Sequence, residues 1–112
     1  MANYNFIKLT KEIDKDGNPV EETYVTPAFI PFKMLYEATD IMAGLEEKSE
    51  REAMDIMLEF VTKIYNNQFS KEDLLEGLSA PDAVAEIQSQ IEFVASGQIA
   101  EDRKKELKKI LK

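Results

Sequence analysis

Apolar and polar positions first alternate along this chain and then recur at helical spacing. Residues 4–13 alternate moderately, and a second β-prone run follows at 20–25. Asp16 and Gly17 lie between the two runs, where Asp-Gly is a strong hairpin signal because glycine accepts a positive φ. The pattern therefore predicts an N-terminal β-hairpin over about 4–25.

Beyond the hairpin, apolar residues recur every three or four positions, which is the spacing of one face of an α-helix. The pattern predicts helices at about 32–44 and 50–65, a one- to two-turn helix capped by Gly77, and a last core helix closed by Gly97. The second helix has the broadest apolar face, so we expect it at the centre of the core. The fold class is therefore mainly α (α+β), an N-terminal β-hairpin followed by a compact bundle of about four helices.

Capping residues mark several helix starts. Ser49 and Glu52 form an S-x-x-E capping box, and Ser70 with Asp73 resembles one with a shorter acid. In the last core helix, four apolar side chains step by three and four positions and are assigned to the core: Val84, Ile87, Ile91 and Val94. The four glycines are all interpreted as turn or helix-end residues.

The length of 112 residues suits one compact domain. We assign residues 1–97 to a single helical domain and residues 98–112 to a basic C-terminal tail, either helical or disordered. The last ten residues carry a net charge of +5 and the preceding 102 carry −13, which together give the net charge of −8. An acidic body repels nucleic acids and anionic lipids, so we expect neither as its partner. The tail is either a solubilising end or an arm that docks a partner or contacts nucleic acid.

The absence of His and Cys removes the commonest general base, the commonest metal ligands and the cysteine nucleophile. We therefore expect no enzyme, no cofactor and no metal site. Asp14, Asp16 and Asn18 fit the first spacings of a calcium-binding loop, but Pro19 and Val25 occupy the positions that need Gly and Glu. We interpret these residues as a turn. The longest apolar run is far shorter than the roughly 20 residues of a membrane span, so no membrane partner is expected.

Methionine is frequent in the first two predicted helices, with four of the five methionines of the chain. Two interpretations remain open, because methionine fills irregular gaps in cores and also recurs on surfaces that accept varied apolar partners. Two phenylalanines near prolines would belong to the same surface. The candidate partner-binding residues are then Phe29, Phe32, Met34, Met42, Met54 and Met57.

Two segments carry a resemblance to a known family: YVTPAFI at 24–30 and FVTKIYNNQFSKEDLLEGLSAPDAVAEIQSQIEFV at 60–94. They resemble the tail assembly chaperones of long non-contractile-tailed (siphovirus-type) phages of Gram-positive bacteria, and the likeness extends over about 5–97. Its most particular part is 65–78, where an aromatic residue precedes Asn-Asn-Gln-Phe-Ser, acids and Gly-Leu. The positions that match this pattern are interpreted as fold-defining: Gln68, Phe69, Gly77 and Leu78.

The resemblance implies a non-enzymatic chaperone that binds and solubilises the tape measure protein and helps recruit tail tube subunits. It also implies a homo-oligomer in the host bacterial cytoplasm that is not in the mature virion. A frameshift-extended form of the chain is a further implied partner, for which Lys104-Lys105 and Lys108-Lys109 offer candidate slippery codons. Two alternatives stay open: an acidic DNA mimic of the anti-restriction type, and a generic helical protein-interaction adaptor.

Overall fold

The computed structural model describes residues 4–111. Strand β1 (Phe6–Ile13) pairs antiparallel with strand β2 (Pro19–Val25), with Phe6 opposite Val25 and Ile13 opposite Pro19. Asp14 shapes the turn between them, because its Oδ1 accepts hydrogen bonds from the backbone N–H groups of residues 16 and 18, both at 2.9 Å. The predicted hairpin is confirmed, and so is the interpretation of Asp14, Asp16 and Asn18 as turn residues. Among residues 4–111, no group of three acidic side chains is placed to hold a metal ion.

Within residues 4–111, five α-helices follow the hairpin, and a short 3₁₀ turn at Leu45–Glu47 joins the first two: α1 (Lys33–Gly44), α2 (Glu50–Ile64), α3 (Lys71–Gly77), α4 (Ala80–Ser96) and α5 (Glu101–Ile110). The fold is therefore mainly α with an N-terminal hairpin, as the sequence predicts. Among the described residues, none of these helices combines the length and apolar composition that crossing a bilayer requires.

The predicted caps Ser49, Ser70 and Gly97 begin or end helices in the structure. The Ser49 hydroxyl accepts a hydrogen bond from the backbone N–H of Glu52 at 3.2 Å, which starts α2. Ser70 and Asp73 form a complete capping box, in which each side chain accepts from the other residue's backbone N–H at 3.2 and 2.9 Å respectively. Gly97 ends α4 with a left-handed φ of 75°.

The core lies where β1, α1, α3 and α4 meet around α2. Helix α2 packs against the other three of these helices and supplies the largest share of the buried apolar side chains, which confirms its central position. Those side chains are Ala53, Met57, Leu58, Phe60, Val61 and Ile64. The β1 residues Ile7 and Leu9 close the core from the hairpin side, and Ile87 and Ile91 close it from α4.

The assignment of Val84 to the core is wrong, because 47% of this side chain is exposed. The buried side of α4 passes instead through Ile87, Gln90, Ile91 and Phe93. Burial of a polar residue, Gln90, turns the buried face away from Val84. Apolar periodicity does not reveal a face that includes a polar side chain.

Gly77 is not the C-terminal cap that the sequence predicts, since it is the last helical residue of α3 and Leu78 is the cap. It is buried against the hairpin. A Cβ atom at this position would lie 2.9 Å from the Cβ of Leu9 and 3.3 Å from the carbonyl oxygen of Thr10. The residue is glycine because α3 and β1 approach too closely for any side chain.

A buried polar network joins α4 to the start of the chain. The Oε1 of Gln90 accepts hydrogen bonds from the hydroxyl of Tyr65 at 2.6 Å and from Nδ2 of Asn5 at 3.1 Å. The Nε2 of Gln90 donates to the carbonyl oxygen of Phe6 at 2.8 Å and to the Glu86 carboxylate at 2.9 Å. All polar atoms of this fully buried amide are thereby satisfied, as buried amides require.

Arg103 of α5 completes this network from the other end of the chain. Its guanidinium donates to Glu86 Oε1 at 3.0 Å, to Asn5 Oδ1 at 3.1 Å and to the carbonyl oxygen of Phe6 at 2.6 Å. It also lies 4.4 Å from the centre of the Phe6 ring, a cation–π contact. One turn further on, Leu107 is buried. Residues 101–110 of the basic tail are therefore a docked helix. We call Asn5, Tyr65, Glu86, Gln90 and Arg103 the Gln90 network.

Replacing Gly77 by Ala should lower the free energy of unfolding by about 1–3 kcal/mol, because the added methyl group overlaps Leu9. Gly44→Ala is the matched control, since nothing lies within 4 Å of a Cβ at that position. We expect this control to keep or slightly raise stability, by up to about 1 kcal/mol. Urea denaturation followed by circular dichroism measures both. Equal stabilities of the two variants would contradict the close-approach explanation.

Burial raises the pKa of the Tyr65 hydroxyl well above its ordinary value of 10.0. Above about pH 10 the Tyr65 hydroxyl loses its proton in the unfolded chain but keeps it in the folded chain. The contribution of this hydroxyl to the free energy of unfolding is therefore fully present below pH 10 and is lost as the pH rises further. A Tyr65→Phe variant lacks this effect. We expect its stability relative to the unmodified chain to improve by about 1.4 kcal/mol per pH unit above 10. Urea titrations between about pH 8 and pH 11 measure this difference, and a difference independent of pH would contradict it.

Candidate interaction surface

Large apolar side chains are exposed where the chain passes from β2 to α1. Phe29 is 77% exposed, Phe32 67% and Tyr36 62%. Phe32 and Tyr36 are one helical turn apart, and their ring centres lie 5.4 Å from each other. A single exposed apolar residue is common in proteins, but a contiguous set of them marks an interaction site.

Phe29 and Phe32 line an open groove with a volume of about 410 Å³, which we call the apolar groove. The loop and the start of α1 line one part of it, and the C-terminal half of α4 lines the rest. Its lining residues are Ala28, Phe29, Ile30, Pro31, Phe32, Leu35, Phe93 and Val94. All eight are apolar, so the groove offers a partner hydrophobic contact and aromatic anchors.

The local sequence holds this loop in place at both ends. The backbone N–H of Thr26 donates to the carbonyl oxygen of Asn5 at 3.0 Å, which ties the loop to the start of β1. At the other end, the carbonyl oxygens of Pro31 and Phe32 accept from the N–H groups of residues 34 and 35, both at 2.9 Å. Pro27 and Pro31 each fix their own φ, which reduces the backbone freedom at the two ends of the segment between them.

A second cavity of about 340 Å³, with polar side chains in its lining, adjoins the apolar groove and shares Phe29, Ile30 and Pro31 with it. Lys63 and Glu37 line it, with Nζ and Oε2 3.5 Å apart. Asn66 and Asn67 line it as well, and both have left-handed backbone conformations, with φ of 53° and 59°. The apolar groove thus has a polar border, which is the usual anatomy of a protein interaction surface.

Comparison with known families identifies the chain. Residues 5–110 match the family model described as "Phage tail chaperone protein". The chain belongs to the phage tail chaperone family. No significant match was found among curated proteins or among solved structures. The family supports a tail assembly chaperone role with phage tail proteins as partners, and such a family is typically non-enzymatic.

The structure separates the six candidate residues of this tail chaperone. Phe29 and Phe32 lie together at the apolar groove. Met34 and Met57 are only 7% and 4% exposed and belong to the core, and Met54 is half-buried against it. Core filling therefore describes these three methionines. Met42 is 41% exposed on α1 and is not a lining residue of the apolar groove.

Several residues of the apolar groove are missing from the sequence-based candidates. Leu35 could have been found, because it lies three positions after Phe32 and therefore near it on the helix. Phe93 and Val94 had no comparable local signal. They reach the groove only because α4 packs against α1, which is a tertiary contact.

Truncating a groove residue should change the stability of the chaperone little, whereas truncating a core methionine should lower it substantially. We expect Phe32→Ala to change the free energy of unfolding by no more than about 0.5 kcal/mol. Met57→Ala should lower it by about 2–5 kcal/mol, because it removes buried contacts and leaves a cavity. Urea denaturation measures both variants. A large loss of stability in Phe32→Ala would show that this residue has a structural role.

Proposed function

We propose that this tail chaperone binds the tape measure protein of its phage through the apolar groove, keeps it soluble and helps bring tail tube subunits to it. The observation that carries the proposal is the pair Phe29 and Phe32, which stay exposed beside an apolar groove in a member of the phage tail chaperone family. A protein that only had to fold would gain from covering such side chains.

The physical properties of the chain support this role. Burying one phenylalanine side chain against a partner contributes about 1.5–3 kcal/mol, so a groove with two exposed aromatic anchors gives a modest affinity. Several chaperone copies on one long client would add such contacts by multivalency. The net charge of −8 would keep the coated client apart from other coated clients.

We also propose that the phage is of the siphovirus type and infects Gram-positive bacteria, and that the chaperone acts in the host cytoplasm and is absent from the mature virion. The resemblance of residues 24–30 and 60–94 to that group supports this proposal. In this proposal the chaperone works as a homo-oligomer, together with a frameshift-extended form. A change of frame at Lys108-Lys109 would leave Arg103 and Leu107, and hence the docking of α5, in both forms.

Co-expression with the tape measure protein tests client binding. We expect the chaperone to keep the client in the soluble fraction, and we expect Phe29→Ser/Phe32→Ser to reduce the soluble client at least about tenfold, because it removes both anchors. Soluble client is measured by quantitative gel analysis after centrifugation. Tail tube protein recruitment is measured by capture on the soluble complex.

The matched control is Ile13→Ser/Val20→Ser, which removes two exposed apolar side chains at the tip of the hairpin, 62% and 40% exposed. This control should solubilise the client as well as the unmodified chaperone does. A client that stays insoluble with the unmodified chaperone rejects the proposed function. Equal loss in both double variants rejects the apolar groove as the binding site.

A further inference from the structure

Helix α5 presents a row of exposed lysines on the side that faces away from the body. Lys105, Lys108 and Lys109 lie within an arc of about 100° on the helix, and we call them the lysine ridge. Arg103 and Leu107, which dock α5, lie on the opposite side. The ridge makes none of the ion pairs found within residues 4–111.

The docking of α5 gives the ridge a defined place on the molecule. Arg103 is held by Glu86, Asn5 and the carbonyl oxygen of Phe6, and Glu106 forms an ion pair with Lys8. Because α5 uses these groups to bind its own body, its lysines are displayed outward together. A disordered tail would not present them in this fixed arrangement.

Helix α3 carries the opposite charge on its exposed side. Glu72, Leu75 and Glu76 share one face, and Leu75 is 54% exposed. We call these three residues the α3 strip. Next to the lysine ridge, Leu111 is 50% exposed, so each surface combines charge with one exposed leucine. The two surfaces are complementary both in charge and in apolar contact.

The α3 strip and the lysine ridge belong to helices that border the same cleft. Gly77 and Leu78 at the end of α3, and Arg103 and Glu106 of α5, all line this cleft of about 390 Å³. In a twofold dimer that pairs each ridge with the strip of the other copy, the same contact is made twice. Such self-complementary patches are the basis of twofold dimers.

We propose that the lysine ridge of one chaperone copy binds the α3 strip of a second copy, and reciprocally, to form a twofold homodimer. A second copy fits better than nucleic acid, because the α3 strip offers Leu75 as an apolar contact for Leu111, whereas a phosphate backbone offers the lysines charge alone. The inference rests on the homo-oligomer of the proposed function and names its surface. It does not involve the apolar groove, which stays free for a client.

Sedimentation equilibrium of the full chain tests the dimer. At about 50 mM salt we expect a monomer–dimer equilibrium, and at about 500 mM salt a dissociation constant at least about tenfold higher, because salt screens exposed charges. Lys105→Glu/Lys108→Glu/Lys109→Glu should weaken the low-salt dimer at least about tenfold. Glu72→Lys/Glu76→Lys should weaken it to a similar extent.

Mixing these two variants in equal amounts is the decisive measurement. In the heterodimer, the reversed ridge meets the reversed strip and the native ridge meets the native strip, so both contacts are again complementary. We expect the mixture to dimerise within about threefold of the unmodified chain. The matched control is Lys15→Glu/Lys33→Glu/Lys48→Glu. It changes the net charge by the same amount as the ridge variant does, at exposed sites outside both surfaces, and should retain the dimer. Circular dichroism checks that every variant is folded.

Three outcomes would overturn the inference: a monomer at low salt, a dimer that the ridge variant leaves intact, or a mixture that does not dimerise. Duplex DNA is added in a parallel titration, and ridge-dependent DNA binding by a monomeric chain would assign the lysines to nucleic acid instead.

Phe29→Ser/Phe32→Ser should dimerise normally. Loss of client solubility with an intact dimer therefore counts against the proposed function alone, and a missing dimer with intact client solubility counts against this inference alone.

Discussion

The hydrogen bonds of the buried Gln90 amide determine how the elements of this chaperone fit together. Tyr65 reaches it from α2, Asn5 from the start of the chain, and Arg103 approaches the same place from α5 through Glu86. A buried amide that loses a partner costs about 1–3 kcal/mol, so any shift of one element is opposed by the others. The Gln90 network therefore sets where the hairpin and α5 lie relative to α4. It thereby also sets the positions of the apolar groove, which begins at the end of the hairpin, and of the lysine ridge on α5.

Local signals predict most of this fold, because they act within a few residues. Asp14 bends the hairpin turn, Ser49 starts α2 and Ser70 starts α3 with bonds that span two to four positions. The errors have a tertiary origin. Position 77 must be glycine because a side chain there would overlap Leu9, which is distant in sequence. The buried face of α4 depends on the hydrogen-bond partners of Gln90, which lie 25 and 85 residues away in the chain.

The candidate site was predictable to a smaller extent. Phe29 stands out because it lies between two prolines, outside the regular apolar spacing of the hairpin and of α1, and Phe32 stands out because it directly follows Pro31. The methionines fall within the regular apolar spacing of α1 and α2, and this spacing alone does not separate core methionines from surface methionines. Met34 and Met42 are eight positions apart on α1, which places them about 80° apart around the helix. Met34 is 7% exposed and Met42 is 41% exposed. Phe93 enters the groove only through the packing of α4.

The loop that carries Phe29 has a thermodynamic consequence for any partner. Thr26 anchors its first end to Asn5, and Pro31 begins the turn into α1 at its other end. Most of the loop's conformational entropy is therefore lost when the chaperone folds, before a partner arrives. A ligand of the apolar groove would meet a loop backbone that is already ordered, so the remaining ordering cost of association would fall on the exposed aromatic side chains and on the ligand's own chain.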